Sequence, residues 1–140
     1  MRLYIDIDGV LLIPKNDNNQ DAPPLKEHVD EFIKWAVYRY DCYWLTAWAP
    51  DGTMDTIKSE LLPYLPKEAN AIKPSKWHDL KTEALDPAGG WIWIDDNILP
   101  GEQRFLEMYG LQNNFIKVDP YDPSMRNTMR RIFAAEKIAK

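Results

Sequence analysis

The sequence is poor in cysteine and histidine, the residues that zinc sites and disulfide-bonded folds use. It contains one cysteine and two histidines in 140 residues. A closed structural zinc site takes four Cys or His ligands, and Cys42, His28 and His78 supply only three. A lone cysteine also excludes an internal disulfide, which fits a reducing compartment. We therefore expect a fold that neither zinc nor a disulfide stabilises.

Glycine motifs and long apolar runs are also missing. The six glycines form no GxxxxGK[ST], GxGxxG or GxSxG pattern, which argues against P-loop kinases, dinucleotide-dependent oxidoreductases and serine hydrolases. Uncharged stretches such as 89–94 are far shorter than the roughly 20 residues of a membrane helix. Asp6 and Asp8 interrupt the apolar start, where a secretory leader needs an unbroken apolar run. These absences predict a cytoplasmic protein without a membrane segment.

Charge is plentiful and unevenly distributed. The chain carries 22 acidic and 17 basic residues, for a net charge of −5. Five of the basic residues lie in 125–140 beside a single acid, Glu136. An acidic body with a basic C-terminal segment is not typical of a protein that binds nucleic acid over its whole surface. Local contact with nucleic acid through the basic segment stays open.

Short apolar runs alternate with helical patterns along the chain. Runs that predict strands lie at 3–7, 42–46, 69–73, 91–94 and 114–118. Helices are predicted over 25–40, 51–62, 76–85 and 101–109, and Asp122-Pro123 predicts the start of a last one. The polar stretch 15–22 predicts a loop or small hairpin, closed by two prolines. This alternation favours an α/β fold with an open, mostly parallel sheet.

Polar residues end three of the predicted strands. Asp6 and Asp8 follow the first, Thr46 ends the second, and Asp95 and Asp96 follow the fourth. In parallel sheets ligands bind beyond the carboxyl ends of the strands, so these side chains are expected to meet in one crevice. Crowded carboxylates repel one another unless a cation neutralises them, and Mg²⁺ prefers oxygen ligands. Solvated turn residues would explain one such pair, but two pairs after two apolar strands favour a metal site.

These strand ends, together with a lysine between the second and fourth strands, form four motifs. In sequence and in order along the chain they resemble the four motifs of the haloacid dehalogenase-like (HAD) phosphatases. YIDIDGV contains the aspartate pair of the first motif, and YWLTAW has the threonine of the second at Thr46. A lysine precedes the last motif, and WIWIDDN contains its acidic pair. The T-x-W and W-x-DD sequences, with Trp48 and Trp93, are most similar to the HAD domain of "Swiss Army Knife" RNA-repair proteins. Ordinary core packing of the two tryptophans stays an alternative.

The resemblance implies a role for each matching residue. Asp6 would attack phosphorus and carry a transient aspartyl-phosphate, and Asp8 would act as general acid and then general base. Mg²⁺ would lie between the Asp6 side chain, the Asp8 carbonyl oxygen and either Asp95 or Asp96. Thr46 and a lysine would hold the phosphoryl oxygens.

Three lysines could fill the last role. Lys76 is favoured because it opens the predicted helix at the spacing of the RNA-repair domains. Lys73, followed by Pro74, matches the K-P form of other relatives. Lys81 is expected on the solvated face of the helix, and His78 on its surface rather than in the site.

The resemblance also implies the architecture and the substrate. We expect one HAD-like domain over 1–140, a Rossmann-like three-layer sandwich with strand order three-two-one-four-five. The intervals between motifs are too short for a cap domain, so an open site and a large substrate are expected. The predicted activity is Mg²⁺-dependent phosphomonoester hydrolysis by a monomer, with phosphorylated nucleic-acid ends as the favoured substrate. Alternatives are a 5′(3′)-deoxyribonucleotidase-like enzyme and a non-catalytic HAD-fold interaction module.

Overall fold

The centre of the computed structural model, which describes residues 1–14 and 22–140, is a five-stranded sheet. Its strands are β1 (Arg2–Ile5), β2 (Asp41–Trp44), β3 (Lys73–Pro74), β4 (Trp91–Asp95) and β5 (Phe115–Lys117). All neighbouring strands are parallel, and their order is β3-β2-β1-β4-β5. The predicted sheet and strand order are therefore confirmed.

The two faces of the sheet carry separate apolar clusters, because side chains alternate along each strand. Leu3 and Ile5 point to the face covered by α1 (Val29–Arg39), α2 (Asp55–Glu60) and α4 (Arg126–Ala135). Tyr4 and Trp93 point to the other face, which α3 (Pro100–Tyr109) covers. The α/β, Rossmann-like three-layer arrangement expected from the sequence is confirmed.

The helix predicted over 76–85 is wrong. Only the 3₁₀ turn Lys81–Ala84 forms there. The carboxylate of Glu83 accepts hydrogen bonds from the backbone N–H groups of His78, Asp79 and Leu80, at 2.9–3.1 Å. These amides are thus satisfied by a side chain in an irregular turn, which gives the backbone an alternative to helical hydrogen bonds.

Other predicted boundaries also differ from the structure. The helices predicted over 25–40 and 51–62 are shorter, since α1 spans Val29–Arg39 and α2 spans Asp55–Glu60. The third strand is reduced to Lys73–Pro74, because Lys67–Ala71 forms a 3₁₀ turn after Pro66. The last helix begins at Arg126 and not after Pro123. Asp122 accepts the N–H of Ser124, and the Ser124 hydroxyl accepts the N–H of Arg126, so a polar turn precedes the helix.

An antiparallel pair of short segments follows β1. Leu12 and Leu25 form a bridge, supported by the N–H of Ile13 to the carbonyl of Pro24 (3.0 Å). The loop or hairpin predicted over 15–22 lies outside the described residues for 15–21. None of the helices in the described ranges has the length and apolar character that crossing a membrane requires.

Candidate active site

The two acidic pairs are brought together by neighbouring strands. Ile5 of β1 is paired with Ile94 of β4, so the residues that follow them lie side by side at the carboxyl end of the sheet. Carboxylate oxygens of Asp6, Asp95 and Asp96 all lie within 4.8 Å of one another. They line a crevice of about 250 Å³. The convergence predicted from the strand ends is present in the structure.

Crowding and burial shift the ionisation of all three carboxyl groups. Asp6 is 5% exposed and Asp95 is 2% exposed. Burial, with repulsion from Asp6, raises the pKa of Asp95 to about 7. Partial burial and the neighbouring Asp95 raise the pKa of Asp96 to about 6. Burial also raises the pKa of Asp6, although the positive charge of Lys81 opposes the effect. Burial and mutual repulsion thus disfavour the ionised form of all three groups, and a bound cation would oppose these shifts.

Lys81 supplies the cation of the crevice. Its Nζ lies 2.7 Å from Oδ2 of Asp95 and 3.4 Å from Oδ2 of Asp6. Burial alone would lower the pKa of this ammonium, but attraction to the two carboxylates outweighs it and the pKa is raised. Lys81 is therefore held in its charged form, although the sequence pattern assigned it to a solvated face.

The position of Lys81 depends on a contact with α3. The backbone N–H of Lys81 donates to Oε2 of Glu102 at 2.8 Å, and the N–H of Leu99 donates to Oε1 at 2.9 Å. Glu102 is only 3% exposed. Because the contact joins residues that are distant in sequence, the sequence did not show that Glu102 would hold Lys81 in the crevice. The local signal of Glu102, at the third position of a helix that begins with Pro100, indicates only a helix start.

The lysine favoured from the sequence lies elsewhere, which corrects that assignment. Lys76 is exposed, and its backbone forms a bridge with Asp51. Within the described part of the chain, Lys81 and not Lys76 lines the crevice. Lys73 forms an exposed ion pair with Asp41 at 3.0 Å. The sequence favoured Lys76 because it would open a helix over 76–85, and that helix does not form.

Both tryptophans of the motifs donate to an aspartate. Nε1 of Trp48 lies 3.0 Å from Oδ2 of Asp8, and Nε1 of Trp93 lies 3.2 Å from Oδ2 of Asp95. Trp93 is also fully buried, with its ring centroid 4.6 Å from that of Phe115. Core packing and orientation of a carboxylate are therefore combined in Trp93, whereas Trp48 is only half-buried.

Thr46 and Asp8 take different positions around Asp6. Thr46 is 1% exposed, and its hydroxyl accepts the N–H of Trp48 at 3.3 Å. Asp8 is exposed, and its carboxylate lies outside the three-carboxylate cluster. The Asp8 carboxylate is thus exposed and held by the indole N–H of Trp48, and its predicted metal contact through the carbonyl oxygen stays a prediction.

The loop after β1 is held close to Asp96. Gly9 has φ +76°, and a Cβ at this position would collide with the Asp96 carboxylate. The ammonium of Lys26 donates to the carbonyl oxygens of Gly9 and Asp119, both at 3.0 Å. Glycine is therefore required here for its left-handed conformation and for the close approach of Asp96.

The chemistry of the donor set fits a hard divalent cation. Asp6, Asp95 and Asp96 offer carboxylate oxygens only, and Lys81 offsets just part of their charge. His78, the nearest histidine in sequence to Lys81, has a fully solvated side chain, as predicted. Comparisons with protein-family models, curated proteins and solved structures give no significant match, so the geometry of the crevice carries the functional argument.

Proposed function

We propose that the protein is a Mg²⁺-dependent phosphomonoester hydrolase that acts through an aspartyl-phosphate on Asp6. One observation supports this most strongly. The Lys81 ammonium lies within 3.4 Å of the Asp6 carboxylate and 2.7 Å of Asp95, in the crevice at the carboxyl ends of β1 and β4. A buried carboxylate beside a fixed cation is suited to attack on a dianionic phosphate, which the carboxylates alone would repel.

The covalent chemistry requires two carboxyl groups with different roles. An oxygen of Asp6 attacks phosphorus, the bond from phosphorus to the ester oxygen breaks, and the leaving alcohol takes a proton from Asp8. In the second step Asp8 accepts a proton from water, which attacks the phosphorus of the aspartyl-phosphate. Inorganic phosphate leaves and the Asp6 carboxylate is restored. The separate position of Asp8, outside the acidic cluster, supports this division of roles.

The remaining residues would bind the phosphoryl group and the metal ion. Lys81 and the Thr46 hydroxyl would bind the phosphoryl oxygens, where negative charge accumulates in the transition state. Asp6, Asp95 and Asp96 would hold Mg²⁺, which supplies positive charge that polarises and orients the phosphate. The carboxylate of Glu102 accepts the backbone N–H of Lys81 and so keeps Lys81 in place, which makes Glu102 a positioning residue.

The decisive variant is Asp6→Asn, because it removes the attacking carboxylate at nearly constant volume. With 4-nitrophenyl phosphate and Mg²⁺, we expect turnover to fall to background while far-UV circular dichroism is unchanged. Asp8→Asn should lower turnover by roughly 10²–10⁴-fold, as is typical of a lost general acid–base group. Asp41→Asn, which changes an exposed aspartate paired with Lys73, is the matched control and should retain activity.

Metal binding gives an independent measurement. Mg²⁺ should raise the melting temperature of the wild-type protein, because binding relieves repulsion among carboxylates that are close only in the folded state. Wild-type hydrolysis by Asp6→Asn would overturn the covalent mechanism. A Mg²⁺-dependent rise in melting temperature without turnover of any phosphomonoester would instead support the non-catalytic interaction module.

A further inference from the structure

A groove of about 620 Å³ adjoins the crevice. Asp8 and Asp96 line both spaces, so the two are neighbours. The antiparallel pair after β1 contributes Leu12 and Ile13 to the lining of the groove. Trp48 and Tyr64 also line it. The volume is in the range of sites for small organic molecules, roughly 300–1,000 Å³.

The charged side chains that the described residues contribute to the groove are all acidic. Asp8, Glu60 and Asp96 are its charged members, and no lysine or arginine belongs to the lining that the described residues form. A strand of nucleic acid carries one negative charge per nucleotide, and proteins bind it with cations along the path of its backbone. The described lining is therefore unsuited to a polyanionic strand, although its apolar and aromatic members suit an uncharged group.

The direction of the reaction decides which part of a substrate lies in the groove. In the proposed mechanism the proton of Asp8 goes to the leaving oxygen, so the leaving alcohol must lie on the side of Asp8. The indole N–H of Trp48 fixes the Asp8 carboxylate at 3.0 Å, at the junction between crevice and groove. The phosphate occupies the crevice beside Lys81, and the alcohol extends along the groove past Trp48.

We infer that the groove is the leaving-group site, and that it selects phosphomonoesters of uncharged alcohols bearing a flat ring, such as a nucleoside or an aryl-substituted alcohol. The inference rests on the proposed function and names its substrate class. Trp48 and the half-exposed Tyr64 provide ring faces for stacking, and Tyr64 is 44% exposed. Glu60 and the two aspartates disfavour a second phosphate on the leaving group.

Three esters of secondary alcohols test the inference with leaving groups of similar reactivity. Glycerol 2-phosphate has no ring, thymidine 3′-monophosphate has an uncharged ring-bearing leaving group, and tetrathymidylate 3′-phosphate has the same terminus on a polyanion. We expect kcat/KM to be highest for thymidine 3′-monophosphate, by about 5–100-fold over glycerol 2-phosphate, the range expected of stacking on aromatic side chains. Tetrathymidylate 3′-phosphate should be at least tenfold poorer than the thymidine ester at low salt.

Two variants distinguish the role of the ring from the role of the charge. Tyr64→Ala should lower the ratio of thymidine to glycerol ester hydrolysis, whereas Tyr38→Ala, at a 92% exposed tyrosine of α1, should not change it. Glu60→Lys should raise kcat/KM for tetrathymidylate 3′-phosphate relative to the thymidine ester. Glu107→Lys, on the exposed surface of α3, is the matched charge control.

The result that overturns the inference is distinct from failure of the proposed function. A preference for tetrathymidylate 3′-phosphate, or equal kcat/KM for all three esters, would overturn the leaving-group assignment if Asp6-dependent hydrolysis of 4-nitrophenyl phosphate persists. Absence of Asp6-dependent hydrolysis of 4-nitrophenyl phosphate would instead overturn the proposed function. A comparison of two primary esters, 2-phenylethyl phosphate and thymidine 5′-monophosphate, distinguishes the two kinds of leaving group. A higher kcat/KM for 2-phenylethyl phosphate would indicate that the natural leaving group is an aryl-substituted alcohol and not a nucleoside.

Discussion

Two lysines withdrawn from solvent contact the chain just after β1, Lys81 at Asp6 and Lys26 at Gly9, and their surroundings differ. The side chain of Lys81 is 14% exposed and faces the carboxylates of Asp6 and Asp95. Lys26 is 3% exposed, and its ammonium donates to the backbone carbonyls of Gly9 and Asp119. Burial opposes the charge of both side chains. Only Lys81 has carboxylates close enough to reverse the effect.

The difference appears in the direction of the pKa shifts. Burial lowers the pKa of Lys26, although Asp122, Asp119 and Asp96 attract its charge from a distance. The pKa of Lys81 is raised, because attraction to Asp6 and Asp95 exceeds the cost of burial. A cation that faces carboxylates can exchange these partners for a phosphate. A cation that faces carbonyls ties two loops together, and we assign Lys26 that structural role.

The largest effect is expected from Lys81→Met, which removes the cation of the crevice. We expect kcat/KM for 4-nitrophenyl phosphate to fall by about 10²–10³-fold, the loss typical of one donor to a developing charge. Lys76→Met is the control, since this exposed side chain lies outside the crevice, and it should change kcat/KM by less than about twofold. An equal loss in Lys76→Met would restore the lysine favoured from the sequence.

Without a bound metal ion, the free energy of unfolding should depend on pH through Asp95, the carboxyl group that faces Lys81. The folded-state pKa of Asp95 is raised to about 7 from an ordinary 3.8, so between these values the folded protein binds more protons than the unfolded chain. In chelator, the free energy of unfolding should fall as pH rises from 4 to 7, by at most about 4 kcal/mol from this group. Urea unfolding at pH 4.5 and pH 7.5 measures the change, and saturating Mg²⁺ should reduce it. Stability that rises over this interval in chelator would contradict the shift.

Lys26→Met tests the structural role of the other lysine. The carbonyls of Gly9 and Asp119 lose their donor, and unsatisfied buried polar groups cost about 1–3 kcal/mol. We expect the free energy of unfolding to fall by about that amount in urea titrations, with a smaller loss of kcat/KM than in Lys81→Met. Lys34→Met, at an exposed position of α1, should leave stability unchanged. A larger kinetic than thermodynamic effect would place Lys26 in the catalytic machinery.

The smallest effect is expected where a cation and a carboxylate meet at the surface. Nε of Arg126 lies 3.1 Å from Oε2 of Glu31, but both side chains are about half exposed. Exposed ion pairs contribute about 0–1 kcal/mol, so Arg126→Ala should change the unfolding midpoint in urea only slightly. Because Arg126 is already paired, its replacement should also leave oligonucleotide phosphate hydrolysis at low salt unchanged. A loss restricted to oligonucleotides would favour the local nucleic-acid contact that the basic segment left open.

The strands and their terminal carboxylates could be predicted because their signals are local. An apolar run followed by Asp6, or by Asp95 and Asp96, contains within a few residues both the strand and its end. Parallel pairing then places these ends together without further information. Thr46 was accessible to the same reasoning, since it lies two residues beyond Trp44, the last residue of β2.

Lys81 could not be predicted, because its placement depends on contacts between distant segments. Glu83 captures the amides before the 3₁₀ turn, and Glu102 of α3 captures the amide of Lys81 itself. Neither carboxylate forms part of a repeating pattern. Ser75, a residue type common at helix N-caps, therefore led to the prediction of a helix over 76–85, and the residue count based on that helix selected Lys76.

The central place of β1 in the sheet also has a consequence for synthesis on the ribosome. β1 is hydrogen-bonded to β2 on one side and to β4 on the other. A nascent chain that ends before residue 91 has no β4, so one edge of an apolar strand is left with unpaired N–H and C=O groups. Open edges of this kind template pairing with other chains, and contacts between distant segments form slowly. The incomplete chain can therefore pair with strands of other chains until β4 emerges from the ribosome. The same event brings Asp95 and Asp96 next to Asp6, so the acidic crevice forms when the edge of β1 becomes covered.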